Sequence, residues 1–173
     1  MRENVLVPET ASSRSAGLAV QFEAAQQEFT RLVSSLSGDQ WRLKGKNTPQ
    51  IRINDEDEDR PIGVIADHVA VSGDWIMARI QAIIDGQPTP PADFKDINAK
   101  HAVERADATK EEVLDRLRSS GRRIAAALRA IPDDKFDLER QLPSGVMTVQ
   151  QRIERVLIGH VQSHQGSIEA TIS

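Results

Sequence analysis

Val156-Leu157-Ile158-Gly159-His160-Val161-Gln162-Ser163-His164 is the stretch whose reading decides the fold. It lies inside a predicted helix over about 148–172, and its two histidines stand four residues apart. On an α-helix that spacing puts both imidazoles on one face, one turn apart. The same face carries Ile153, Val156, Leu157 and Ile168, so the pair belongs to the stripe that faces a core. Burying two imidazoles costs free energy unless each finds a partner, and one divalent metal supplies a partner for both. The rest of the chain is therefore read for a third ligand.

Composition sets the frame. At 173 residues the chain is long enough to bury a core without covalent staples, and it reads as one domain over 14–173 behind a flexible arm at 1–13. Four Phe, two Trp and no Tyr leave the core to aliphatic side chains. With no cysteine there is no disulfide, zinc ribbon or thiol nucleophile, so any thiol must come from a substrate or cofactor. A net charge of −4 and a pI near 5.6 argue against a nucleic-acid partner. No apolar run reaches membrane-span length, and the first residues lack the apolar core of a signal peptide, so the expected location is cytoplasmic.

The first predicted helix, over 13–36, carries Leu18, Phe22, Ala25, Phe29, Leu32, Val33 and Leu36 at steps of three and four. Ser37-Gly38-Asp39-Gln40 fits a capping box and predicts a short helical turn bearing Trp41. Periodicity then disappears over 42–60. Ile51-Arg52-Ile53 suits a short extended piece, and an acidic run fills 55–59. Asp55, Asp57 and Asp59 alternate as in a calcium loop, but Arg60 stands where that loop needs Gly and Ala66 where it needs Glu. A solvated loop is the better reading.

A second long helix is predicted over 60–85, with Asp59 as N-cap, Pro61 in the first turn and Gly86 as the stop. Ile62, Ile65, Val69, Ile76, Ile80 and Ile83 form its stripe, and His68 lies beside it with Ser72 and Trp75 at helical spacing. The link over 87–108 is long and lacks strong periodicity, as segments that cross a domain often do. His101 lies in it and reads as a surface residue. A third helix begins at the capping box Thr109-Lys110-Glu111-Glu112 and ends at Ile131 before Pro132. A loop bounded by Pro132 and Gly145 leads to Thr148, the expected cap of the fourth helix.

The fold class is thus all-α, and a four-helix bundle is the natural way to bury four apolar stripes. His68 lies close to the start of helix two, and His164 equally close to the end of helix four. If these helices are antiparallel neighbours, His68, His160 and His164 fall at one level. Three neutral imidazoles with an open coordination position describe a catalytic-type divalent metal site.

At these residues the sequence resembles the DinB/YfiT-like family of metal-dependent proteins. The likeness is carried by Ile65-Ala66-Asp67-His68-Val69, by the run from Leu157 to Ile168 that holds both other histidines, by Leu142-Pro143-Ser144-Gly145-Val146-Met147-Thr148 and by the long link between helices two and three. It spans about residues 14–172. The resemblance implies an up-down-down-up bundle with a long crossover between helices two and three, in which His68, His160 and His164 hold a divalent metal. It further implies a small-molecule substrate, a homodimer and chemistry with an external low-molecular-weight thiol, since characterised relatives include thiol-dependent transferases and isomerases. The acidic insertion over 55–59 and the lack of tyrosine depart from the family pattern.

Three functions remain open on sequence. One is an S-transferase or isomerase whose metal polarises an external thiol, with Ser72 and Trp75 lining the pocket. The second is a metal-dependent hydrolase, and the third a non-catalytic metal-binding stress or interaction protein. No catalytic residue is assigned: Asp67 points about 100° around the helix from His68, and Glu169 also lies off the ligand face. Three imidazoles suit zinc or nickel, with iron, manganese and copper as alternatives.

Overall fold

The computed structural model describes residues 13–46, 60–89, 94–142 and 145–173. These residues are predominantly helical, with one small two-stranded sheet. The N-terminal arm up to residue 12, Ile51-Arg52-Ile53, the acidic run and Asp59 lie outside the described residues. No described helix is long and apolar enough to cross a membrane.

Helix α1 (Arg14–Ser35) starts where the Ser13 hydroxyl accepts the Ala16 N–H at 3.3 Å. Its stripe of Leu18, Phe22, Ala25, Phe29 and Val33 is buried. Ser37 and Gln40 cap each other reciprocally and begin α2 (Gly38–Arg42), which holds Trp41 against the start of α3 (Ile62–Ile84). There the approach is so close that a Cβ on Gly63 would lie 2.4 Å from the Trp41 ring, so glycine lets α2 dock. Pro61, with no side-chain cap hydrogen bond, is the N-cap of α3, which corrects the assignment of that position to Asp59; its fixed φ suits a helix entry. The capping box at Thr109 and Glu112 opens α5 (Lys110–Arg129), whose Val113, Leu117, Ile124 and Leu128 are buried.

Helix α5 packs on both α1 and α3. Between α1 and α5, Gln26 Nε2 donates to the Leu117 carbonyl at 3.0 Å, and Glu23 pairs with Arg129 at 2.7 Å. Between α3 and α5, Asp67 pairs with Arg116 at 2.6 Å and Asp74 with Arg123. Phe22, Phe29, Ile65, Ile80, Leu117, Leu128, Leu157 and Ile168 fill the centre, each fully buried. Each such side chain contributes about 1.5–3 kcal/mol relative to leaving it in water.

Two connections differ from the sequence reading. The link over 87–108 is not irregular: it contains α4 (Phe94–Glu104). Periodicity does not reveal this helix because none of its residues is fully buried, so it has no apolar stripe to repeat. The loop after α5 contains a 3-10 turn, Asp133–Lys135, and an antiparallel hairpin of β1 (Glu139–Leu142) and β2 (Gly145–Thr148). Strands of four residues are too short to show a clear alternation in sequence.

The last helix begins, as expected, at a capping box formed by Thr148 and Gln151. It comprises α6 (Val149–Arg152), a π-helical segment (Ile153–Ile158) and α7 (Gly159–Ile172), one after another without a break. Val149, Ile153, Leu157 and Val161 recur at every fourth position and are all buried. In a pure α-helix that spacing drifts by about 40° per step. The wider π turn offsets part of that drift.

A candidate metal centre

Helix α3 supplies His68, and α7 supplies His160 and His164 one turn apart. The structure brings the three together: their candidate ligand nitrogens lie within 4.8 Å of one another. His68 Nε2 and His160 Nε2 are 3.1 Å apart, and the ring centroids stand 4.5–5.1 Å apart. His164 is buried, and His68 and His160 are half-buried.

Hydrogen bonding alone does not satisfy this cluster. Each neutral imidazole has one donor and one acceptor nitrogen, and the Nδ1 of His164 is buried with no partner among the described residues. A buried polar atom left in this way costs free energy. Three imidazoles that each bring a nitrogen within 4.8 Å of the others fit a divalent cation.

Electrostatics keeps the rings in the ligand state. Burial pushes His68 well below its ordinary value, and His164, His160, Arg60 and His101 push the same way. Burial likewise depresses His164, helped by His160 and Arg60. Burial and then Arg60 bring His160 down to about 4. All three are neutral at neutral pH, with lone pairs free for a metal.

A pH dependence follows for the metal-free protein. With folded values depressed below 6.5, the unfolded chain takes up protons first as the pH falls. This contribution to stability is complete above about 6.5 and declines towards about 4, where folded His160 itself titrates. Chelator-treated protein should melt lower at acidic than at neutral pH within that window, and His160→Gln should narrow the difference. Thermal melts across the window check this; a melting temperature unmoved by acid would contradict it.

Asp67, off the ligand face as expected, is completely buried rather than idle. Its carboxylate accepts from His101 Nε2 at 2.9 Å, Arg105 Nε at 3.1 Å and an Arg116 guanidinium nitrogen at 2.6 Å. Burial pushes its pKa up, but the bonds from His101 and Arg105 and the charges of Arg116 and Arg105 outweigh that and hold it below its ordinary value. His101 is therefore not a surface residue: its side chain is 11% exposed, and its ring lies 5.8 Å from that of His68. The helix hidden in the link carries it inward. The signal that pointed here was a charge inside the apolar run Ile62 to Ala70, which demands partners from elsewhere.

Ser72 and Trp75 follow His68 along α3. The Ser72 hydroxyl is 3.5 Å from the Val69 carbonyl of its own helix. Trp75 meets Phe94 of α4 edge-on at 5.0 Å, with the Arg79 guanidinium 4.7 Å over its ring. A cleft of about 430 Å³ lies between α1 and α5, where Gln26, Arg31, Leu117 and Gly121 line it. It contains none of the three histidines, nor Ser72 or Trp75. Convergence of donors rather than empty volume marks a metal centre, so the histidine cluster is the stronger candidate.

The family model for the DinB superfamily matches residues 21–168, most of the chain and all three histidines. The chain belongs to the DinB superfamily. No curated protein matches it significantly, and neither does any solved structure. For this DinB-superfamily chain, the reaction must be argued from the site.

Proposed function

We propose that this DinB-superfamily protein binds one divalent metal through His68, His160 and His164 and uses it on a thiol-bearing small molecule, as an S-transferase or isomerase. The observation that carries the metal is the convergence of three imidazoles, one buried and two half-buried, whose candidate ligand nitrogens lie within 4.8 Å of one another. The thiol rests on the family resemblance and on the absence of cysteine, which leaves solution as its source. An ion held there supplies Lewis acidity that favours the thiolate form of a thiol. The chain contributes three ligands that leave coordination positions open, and a buried setting that strengthens electrostatic interactions.

The pairings described above support an up-down-down-up four-helix bundle as the scaffold. Asp67–Arg116 and Asp74–Arg123 rise together along α3 and α5, as parallel helices require. Gln26–Leu117 and Glu23–Arg129 run oppositely along α1 and α5. Arg14 meets Gln150 at one end, and Lys46 meets Thr171 at the other, so the last helix runs with α1.

One observation favours a second reading, a non-catalytic metal-binding protein: the cleft between α1 and α5 does not open onto the histidines. Activity separates the two. Metal-loaded protein should transfer a small thiol to an electrophilic test substrate faster than metal-free protein, and His68→Ala should abolish the difference. Metallated protein inert towards a panel of thiols and electrophiles would establish the second reading instead.

A further inference from the structure

We propose that His101 is a wall of the metal site and that Asp67 is the positioning residue that holds it there, strapping α4 across α3 beside His68. The inference rests on the three-histidine reading and extends it to two residues outside the ligand set.

A buried carboxylate persists only when charges and hydrogen bonds compensate it. Asp67, with no exposed surface, draws its partners from two other helical segments. His101 and Arg105, from α4 and the turn after it, share Oδ2, while Arg116 of α5 takes Oδ1. Among the described residues, helix α4 buries little apolar surface. None of its residues is fully buried, and Phe94, Ile97 and Val103 are exposed, although Phe94 touches Trp75. One anion therefore fastens the C-terminal end of α4.

That anion immediately precedes His68 in the chain, and the imidazole it holds meets the His68 ring edge-on. Asp67 and His101 thus bracket His68 from the backbone and from the ring, and limit how it can turn. Nε2 of His101 is taken up by the carboxylate, which leaves Nδ1 as its other polar atom. It is buried with no partner among the described residues. The wall therefore has a polar atom that a small polar ligand, such as water or a thiol, would satisfy.

Cobalt(II) is the probe, because its visible absorption band reports ligand geometry directly. His101→Phe keeps the ring and removes the bond to Asp67, His101→Gln keeps a donor, and Asp67→Asn keeps the shape and removes the charge. His101→Phe and Asp67→Asn should weaken cobalt binding about 10- to 100-fold, as loss of outer-shell partners does, and should shift the band. His101→Gln should recover part of both. Asp74→Asn, which breaks the exposed ion pair with Arg123 between the same α3 and α5, should change neither. If Asp67→Asn does not fold, the two His101 variants still decide the matter. A wild-type spectrum and affinity in His101→Phe, in protein that loses cobalt on His160→Ala, would overturn this inference alone. Wild-type protein that takes up no cobalt, or His160→Ala that keeps it, would overturn the three-histidine reading as well.

Discussion

His160→Ala protein should emerge from purification with little of the metal that the wild type carries, and should melt at the same temperature with or without chelator. The side chain adjoins both other histidines, with its Nε2 3.1 Å from His68 Nε2 and its ring 4.5 Å from that of His164. Its removal leaves two donors on different helices. Metal that binds only the folded chain stabilises it by about 2.7 kcal/mol at a hundredfold excess over Kd. For a chain of this length that is worth about 2–4 °C per kcal/mol. Wild-type protein should therefore lose several degrees on chelation and regain them when metal is restored. Elemental analysis and melting curves measure both effects. Full metal content in single alanine variants of all three histidines, or a wild-type melt indifferent to chelator, would defeat the assignment.

The second large effect belongs to Asp67. Removing one partner of a buried ion pair costs about 3–5 kcal/mol, because the remaining charge is stranded. Arg105 and Arg116 are 28% and 31% exposed, so water recovers part of that loss. Asp67→Ala should therefore fall near the lower end, about 3 kcal/mol, or roughly 6–12 °C in melting temperature. Asp74→Ala, whose partner Arg123 is half in water, should cost about 0–1 kcal/mol. Acid should reproduce the Asp67 loss: its folded pKa is depressed, so its contribution is present above the ordinary 3.8 and disappears as the pH falls below it. Equal melting temperatures for Asp67→Ala and Asp74→Ala would refute the account.

The long helices were legible because each buries a stripe. Leu18 to Val33, Ile62 to Ile83 and Val113 to Leu128 repeat at helical spacing, and three capping boxes fix starts within a residue or two. The three histidines were legible for the same reason: His160 and His164 share a face by arithmetic, and His68 stands on a matching level. What escaped notice lacks periodicity. Helix α4 is held by polar contacts, the hairpin is too short to alternate, and the bond between Asp67 and His101 spans 34 positions. A spacing rule cannot join two residues that meet only through a helix with no stripe.

The π turn gives chain length a role alongside residue type. Such a turn is what a helix makes of one surplus residue, so the distance from the Thr148 cap to His160 is one residue greater than a plain α-helix would use. The ladder of Val149, Ile153, Leu157 and Val161 is a four-residue beat that an underwound helix keeps closer to phase. Relatives that lack the extra residue would present their histidines to the core at a different offset from the cap. Matching such chains by counting from the capping box would then pair the wrong positions, whereas counting back from the HxxxH pair would not.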